Sequence, residues 1–486
     1  MRRLISLVVL SFCSLIAFDI SYAASQTWRL TSDSYSDSLP RIIIDNQDQI
    51  WVEWLSNAQG NYDVCYQRYN AGWSSRDWLT TDDVDQISCD ITCNKVTGSV
   101  WAAWDSAGKI QYAVYLSSWY GPYTAIDSIF TFPQYGPYGR ISIMAGDSGT
   151  KFLSWTAVDT TGFYSVYIMR YDSGAWDQPE CIRQGSGYGI ISYTNYSSYG
   201  LSLNIYQQPA TIFFMDSYSM GGFSWLSVDA LGWIPDTGWV YLSIAGWNNY
   251  TQPYSLMPCP FDIGFSENGD LHVISAYADS NDAMSLIDNK FITSDFIADS
   301  IYTIKTQIHP QNAAITNLAK PSIAWSDSHS IFLNTFYDSM WSQPPVQISD
   351  TALHNCINPD IVAENDSTVW VCYQNDGEIY VTKTTIPLGV SGKPEIINKP
   401  EVFTVTTWPN PAKNKINIQC NGIDNKNTKA KIYNITGQLV KKIDIKDNQT
   451  VWNGADQNGN KVSAGIYILN VISGNESKIQ KISIIR

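Results

Sequence analysis

Apolar and polar residues alternate in short runs along most of the chain, and the runs recur. The clearest unit is Val100 to Pro122, VWAAWDSAGKIQYAVYLSSWYGP: an apolar run ending in Trp, a small polar turn, a second alternating run, and a third that opens on Trp. Period-two alternation rich in aromatic and β-branched residues predicts strands, and a short polar turn between two of them predicts a hairpin.

Laid along the chain, this unit repeats seven times. Its first strand reads RIII from Arg41, DITC from Asp90, RISI from Arg140, SLNI from Ser202, DIGF from Asp262, NAAI from Asn312 and DIVA from Asp360, at offsets of 49, 50, 62, 60, 50 and 48 residues. The second strand usually ends on an aromatic residue: Trp54, Trp104, Trp155, Met215, Tyr277, Trp325 and Tyr373. A third strand follows, and a fourth is predicted to open at Trp73, Trp119, Trp176, Trp233 and Trp341; the fifth copy lacks that Trp. Four strands in about 50 residues make one blade of a β-propeller, so seven copies predict seven blades. The seventh copy ends near Thr385 without a fourth strand, and Thr27 to Ile42 resembles Met340 to Ile361, with Trp28 matching Trp341. The amino-terminal stretch is therefore expected to supply the missing outer strand and close the ring, which removes an open edge. The recurring Trp residues are expected to pack between blades.

The first strand of a blade lines the central channel. Its opening residues, Arg41, Asp90, Arg140, Ser202, Asp262, Asn312 and Asp360, are expected to form a polar ring. Arg can fork onto carboxylate and Asp can accept from hydroxyls, so the ring could hold a carboxylated or hydroxylated ligand, although channel mouths are polar in any propeller. The two long offsets place extra residues, including Trp247 and Tyr250, in loops on the ring's face, where aromatic rings among Gly, Ser and Asn suit sugars. The candidate ligand-binding residues are therefore Arg41, Asp90, Arg140, Asp262, Asn312, Asp360, Trp247 and Tyr250. For catalysis by paired carboxylates the candidates are Asp90, Asp262 and Asp360. Glu53 stands where Ala103 and Ser154 stand in the next two copies, and is expected to be a buried carboxylate paired to Arg41 or Arg68, or a general acid. No Ser/His/Asp elbow, zinc-helix motif or phosphate loop is present, so no cofactor or metal is expected.

Composition narrows the setting. The chain is 486 residues, 13% aromatic and only 15% charged, which reads as all-β and extracellular. Residues 1–23 have Arg2 and Arg3, an apolar run from Leu4 to Phe18 and small residues at Ala23 and Ala24, the pattern of a secretory signal peptide. No later run is long enough to cross a bilayer as a helix. Eight cysteines remain after Cys13, an even number that permits disulfides in an exported chain, with buried thiols and one or two bridges expected. From Glu401 onward there are twelve Lys+Arg and six Asp+Glu, so the body between residue 23 and Glu401 carries a net charge of −22, against −15 for the whole chain. Such an acidic body excludes nucleic acid and anionic membrane as partners.

After Thr385 the repeat stops. Residues 387–403 read as a linker of Pro, Gly and Lys, and 404–486 as a small immunoglobulin-like β-sandwich with hairpins at ITGQ and DQNGN. Pro409-Asn410-Pro411, the run Ile432 to Val440, WNGADQNG from Trp452, SAGIY from Ser463 and a basic last strand ending at Arg486 resemble, in that order, the type A carboxyl-terminal sorting domain of type IX secretion. The resemblance implies export through the periplasm and outer membrane, with the outer-membrane secretion machinery as partner, to a secreted or surface location. The propeller more loosely resembles the sialidase-like repeats, though the turn Ser-x-Asp-x-Gly-x-x-Trp occurs in no copy and only two ring arginines are found. The expectation is an all-β protein: a seven-bladed propeller at 24–386, then the sorting module. It recognises glycan or another extracellular polymer, or is a glycoside hydrolase or lyase, or serves contacts with a surface protein.

Overall fold

The computed structural model describes residues 25–485 except 128–140, 148, 159–162, 188–192, 204–207, 220–222, 235–236, 243–261, 267–268, 279–283, 293–296, 307–309, 317–319, 338–339, 343, 387–403, 409–411, 414, 422–427, 435–437, 446–448 and 474–475. The chain divides into two compact units, Met1–Pro394 and Glu395–Arg486. Among the described residues there is no helix long and apolar enough to cross a membrane.

The first unit is a seven-bladed β-propeller. Its described residues form seven antiparallel sheets whose inner strands are Asp37–Ile44, Gln86–Cys93, Ser142–Ala145, Tyr193–Leu203, Asp262–Phe265, Pro310–Ile315 and Cys356–Asn365. Each inner strand packs on the next, and the last packs on the first, so the ring is closed. In this order the sheets are blades 1 to 7.

Blade 2 shows how sequence becomes sheet. Val100–Ser106 is buried along its whole length because it lies between two neighbouring strands and two neighbouring blades. Ala107 and Gly108, at φ of 51° and 82°, make the two-residue hairpin into Lys109–Tyr115; positive φ at both central residues gives the turn a twist that matches the strands. The outer strand, Trp119–Ile126, is mostly exposed. At the opposite end of the blades, side-chain oxygens take up turn N–H groups. Asp45 Oδ1 accepts from the N–H of Gln47 and of Gln49, while its Oδ2 accepts from Trp51 Nε1 at 2.9 Å.

Closure occurs as the end sequences suggest. Gln26–Arg29 pairs antiparallel with Glu378–Thr385, Trp28 opposite Val381. Arg29 and Thr31 both bind the Glu378 carboxylate, at 3.0 and 2.7 Å, and Trp28 stacks on Trp370 with ring centroids 5.2 Å apart. The packing role of the recurring aromatics is also seen: Trp54, Trp104, Trp155 and Trp325 are all buried. The fifth blade has its full four strands, the last two being Met284–Ile292 and Ile297–Thr306.

Two outer strands lie elsewhere than the Trp pattern places them. Blade 4 has longer strands than its neighbours, so Trp233 ends the third strand, Phe223–Ile234, and faces Trp239 in the fourth, Gly238–Leu242. In blade 1, Trp73 sits in the turn, bridging only to Tyr69, and the outer strand is Asp77–Trp78. None of the seven described cysteines is bridged: Cys65, Cys89, Cys93, Cys356, Cys372 and Cys420 are buried, and Cys181 is exposed. Cys259 lies outside the described residues.

The second unit has two facing sets of strands. One sheet joins Thr404–Trp408, Ile416–Asn421 and Gln449–Trp452; the other orders Leu439–Asp444, Lys429–Asn434, Gly465–Ser473 and Glu476–Ile484. Ile416, Ile418, Ile432, Trp452, Leu469 and Ile482 fill its core. Trp452 is completely buried with its Nε1 on the Ala455 carbonyl, and Asp456 holds the next turn by accepting from the N–H groups of Asn458 and Asn460.

Candidate functional site

A cavity of about 550 Å³ is lined by residues from all seven inner strands. It is the central channel. One end carries Arg41, Asp90, Asp262 and Asp360, and one residue deeper come Ile42, Ile91, Ile143, Ile263, Ile315 and Ile361.

The ring residues are aimed by a recurring irregularity. Inner strands of blades 1, 2, 6 and 7 each carry a register shift just before the ring, at Ser38/Arg41, Gln86/Cys89, Pro310/Ala313 and Ile357/Asp360. In blades 1 and 7 the shift is built from a residue at positive φ, a proline and the ring residue: Leu39-Pro40-Arg41 and Asn358-Pro359-Asp360. A bulge bends the strand and redirects the next side chain, which here faces the channel.

The aspartates tie the blades together. Asp90 Oδ2 accepts from the N–H of Ile143 in blade 3 at 2.8 Å, Asp262 Oδ2 from Ile315 in blade 6 at 2.8 Å, and Asp360 Oδ2 from Ile42 in blade 1 at 2.9 Å. Adjacent inner strands are too splayed for a backbone ladder, and a carboxylate spans the gap. A charge-assisted bond of this kind contributes about 1.5–3 kcal/mol.

The same bonds fix which residues are equivalent. Ile42, Ile143 and Ile315 each follow the ring position by one, so that position is Arg41 in blade 1, Ser142 in blade 3 and Ala314 in blade 6. Strand pairing agrees: Arg41, Asp90, Ser142, Asp262, Ala314 and Asp360 lie opposite Glu53, Ala103, Ser154, Ile274, Ala324 and Cys372. Asn312 thus stands two residues ahead of the ring and is buried. Arg140 has the same offset in sequence; it lies outside the described residues, as do Trp247 and Tyr250. Ser202 is buried, and blade 4 contributes Leu201 and Leu203 to the channel.

Electrostatically the mouth is one cation among three carboxylates. Arg41 Nε stands 3.5 Å from Asp90 Oδ1, and the two side chains are 16% and 17% exposed. Burial works against the charge of Arg41, but Asp90, Asp360 and Asp262 hold its pKa above the ordinary value. Among the described residues no hydrogen bond uses its terminal nitrogens. Burial raises Asp90 to about 6, with Arg41 and the N–H groups of Ile143 and Ile91 opposing, and raises Asp262 to about 7 against the N–H groups of Ile315 and Ile263. Between blades 1 and 2, Glu53 is fully buried; neither oxygen makes a well-formed hydrogen bond among the described residues, and the Cys89 thiol is the weak donor beside it. Burial and neighbouring Asp90 push its pKa well above the carboxylate range, Cys89 and Arg41 opposing. It is not hydrogen-bonded to Arg41, and Arg68 is engaged elsewhere, bonding Tyr115 Oη at 2.8 Å over the Trp51 ring.

Sequence reasoning missed Ser142 and the stapling role of the aspartates. A signal was present: at all three staples Asp is followed by Ile, and the neighbouring strand that donates its N–H offers Ile one residue past its own ring position.

Comparison with known proteins bears first on the second unit. Residues 406–485 match the secretion system C-terminal sorting domain. The protein is therefore exported by type IX secretion to the cell surface or the extracellular space. No curated protein matches the chain by sequence. Solved structures similar to it include a polysaccharide lyase, the PL25 ulvan lyase, at 11% identity and a TM-score of 0.45, covering 73% of this chain and 95% of that one. An α-L-arabinanase of Penicillium chrysogenum aligns at 9% identity and 0.44, over 76% and 100%. A Hadza microbial sialidase aligns at 10% and 0.37, over 73% and 66%.

Proposed function

We propose that this exported propeller is a recognition protein for glycan or another hydroxyl-bearing extracellular polymer, gripped at the polar mouth of its channel. What supports the reading is Arg41: a guanidinium whose terminal nitrogens make no hydrogen bond among the described residues, standing among carboxylates over a 550 Å³ channel. In this reading Asp90, Asp262 and Asp360 hold the blades together through backbone N–H bonds and also line the mouth as polar groups for sugar hydroxyls. Trp247 and Tyr250 add stacking faces from the loops of blades 4 and 5, with Arg140 and Asn312 polar groups at the margin.

A second reading, a glycoside hydrolase or lyase, draws on one observation: Asp90 and Asp262 hold their protons up to about 6 and 7, the range of a general acid. Both carboxylates are also anchored by backbone N–H groups, which favours holding a ligand over moving a proton.

The experiment is a glycan-array screen of the mature exported protein beside its Arg41→Lys variant. Recognition predicts retention on a restricted set of glycans, lost by at least about tenfold in the variant at an unchanged melting temperature, because Lys cannot present the two-pronged donor. Chain shortening of the retained glycan, abolished by Asp262→Asn, would establish the enzyme instead. An array with no retention by a folded protein would refute both and point to a surface protein as partner.

A further inference from the structure

Arg41 and Glu53 face each other directly across the first two strands of blade 1, yet they are not joined. Directly opposed residues bring their Cβ atoms within about 5.5 Å, close enough for these two side chains to meet. Of the six blades in which the ring position is fixed, only blade 1 has a charged pair at this level; the others place Ala103, Ser154, Ile274, Ala324 or Cys372 opposite the ring. We infer that Glu53 is a switch that decides whether the Arg41 guanidinium faces the channel or is drawn back between blades 1 and 2.

The groups around Glu53 leave little else for it to do. Across from it on the inner strand is Arg41; on the third strand its partner is Tyr66, whose hydroxyl donates to Asp77 at 3.0 Å, with Cys65 next in line; from blade 2 come Cys89 and Asp90. Neither carboxylate oxygen has a well-formed hydrogen bond among the described residues, and the thiol of Cys89 beside it is only a weak donor. Burial and Asp90 favour the neutral form of Glu53, and a neutral acid competes poorly with the channel aspartates for a guanidinium. Once Glu53 loses its proton, a fully buried charge is left beside Asp90, and Arg41 is the cation within reach. Arg41 stays charged throughout, so what changes is its position.

The switch rests on the reading of Arg41 as the group that holds ligand. Protonated Glu53 leaves the guanidinium at the mouth and the site competent. Ionised Glu53 retracts it and leaves a mouth of three aspartates, unable to donate to an incoming hydroxyl or carboxylate. Recognition would then weaken as rising pH takes the proton from Glu53.

Crystals of the full mature chain, equilibrated at about pH 8 and about pH 10, both above the pH at which Asp90 and Asp262 lose their protons, test this without any ligand. At the lower pH Arg41 should contact Asp90 as it does here; at the higher its terminal nitrogens should lie within about 3 Å of Glu53. Glu53→Gln, isosteric and without charge, should hold Arg41 on Asp90 at both. The inference is overturned if Arg41 keeps one position in the parent protein across this range, or if it moves equally in the variant. Should crystals of the variant fail, the parent pair alone decides whether Arg41 moves. Glycan retention lost in Arg41→Lys but insensitive to pH would sink the switch and leave the recognition reading standing; movement of Arg41 with no glycan retained would do the reverse.

Discussion

The interface between blades 1 and 2 has two ends, and they are built on opposite principles. At the end away from the ring, Trp51 stacks on Tyr66 at 5.5 Å, meets Tyr115 and Trp119 edge-on at 4.9 and 5.9 Å, and carries the Arg68 guanidinium over its face at 4.9 Å. Its indole N–H is satisfied by Asp45. At the ring end, a few residues along the same strands, Glu53, Cys89, Asp90 and Arg41 share a space in which, among the described residues, the Glu53 carboxylate has no well-formed hydrogen bond and the terminal nitrogens of Arg41 have none. One end devotes its burial to dispersion and ring geometry; the other stores polar groups whose demands are unmet. Stability is thus concentrated away from the ring, and the proposed binding site lies where stability was given up.

The sharpest way to break this comparison is to remove the packed end. Trp51 is 1% exposed, and Trp51→Ala should destabilise the propeller by about 3–5 kcal/mol, the range for deleting a buried aromatic side chain. Urea unfolding followed by circular dichroism measures it. A loss under about 1 kcal/mol would mean that the aromatic layer is loosely packed and that the two ends are not so different.

The next test uses the ring end. Asp90 and Asp262 titrate higher in the folded protein than the usual carboxylate, at about 6 and about 7. A raised folded pKa means that the native state binds the proton more tightly than the unfolded chain, so the contribution is full below about pH 4 and is lost as pH rises through 6 to 7. These two acids should therefore favour folding by roughly 2–4 kcal/mol each at about pH 4 relative to pH 8, since each tenfold gain in proton affinity on folding is worth about 1.4 kcal/mol. Asp90→Asn should flatten its share of the slope. A melting temperature whose pH dependence is identical in parent and Asp90→Asn would show that the Ile143 and Ile91 N–H groups and Arg41 fully compensate its burial.

How much of this is legible in the chain follows from what sets each feature. Blade number, the closing strand and the packing role of Trp54, Trp104, Trp155 and Trp325 follow from local alternation and repetition, and sequence records both directly. Which residue of a strand reaches the channel follows from bulges, and a bulge slips the register without disturbing the alternation that betrays the strand. That is why Asp90, Asp262 and Asp360 are marked by their place at the head of DI-type runs, whereas the repeat pattern points to Asn312, two residues from its blade's true ring position, Ala314. Trp233 misleads for a similar reason: the longer strands of blade 4 move its last hairpin, and a lone Trp does not say which side of a hairpin it is on. Glu53 is conspicuous as an acid among small residues, but the absence of any partner is a property of space, not of spacing.

The finest test returns to the packed end and asks whether its cation matters. Arg68 lies over both Trp51 and Tyr115, 4.9 and 5.2 Å from the ring centroids, and donates to the Tyr115 hydroxyl. Arg68→Gln keeps a polar donor of shorter reach and removes the charge, so it should cost only about 0.5–1 kcal/mol, the range for a cation–π contact open to solvent on one side. A double-mutant cycle with Tyr115→Phe separates the two parts: coupling confined to the hydroxyl means that the rings need no cation, and coupling that survives its loss means that the charge itself helps hold them. If Arg68→Gln proved as costly as Trp51→Ala, charge would be sustaining both ends of the interface, and the contrast between a packed end and a polar one would have to be abandoned.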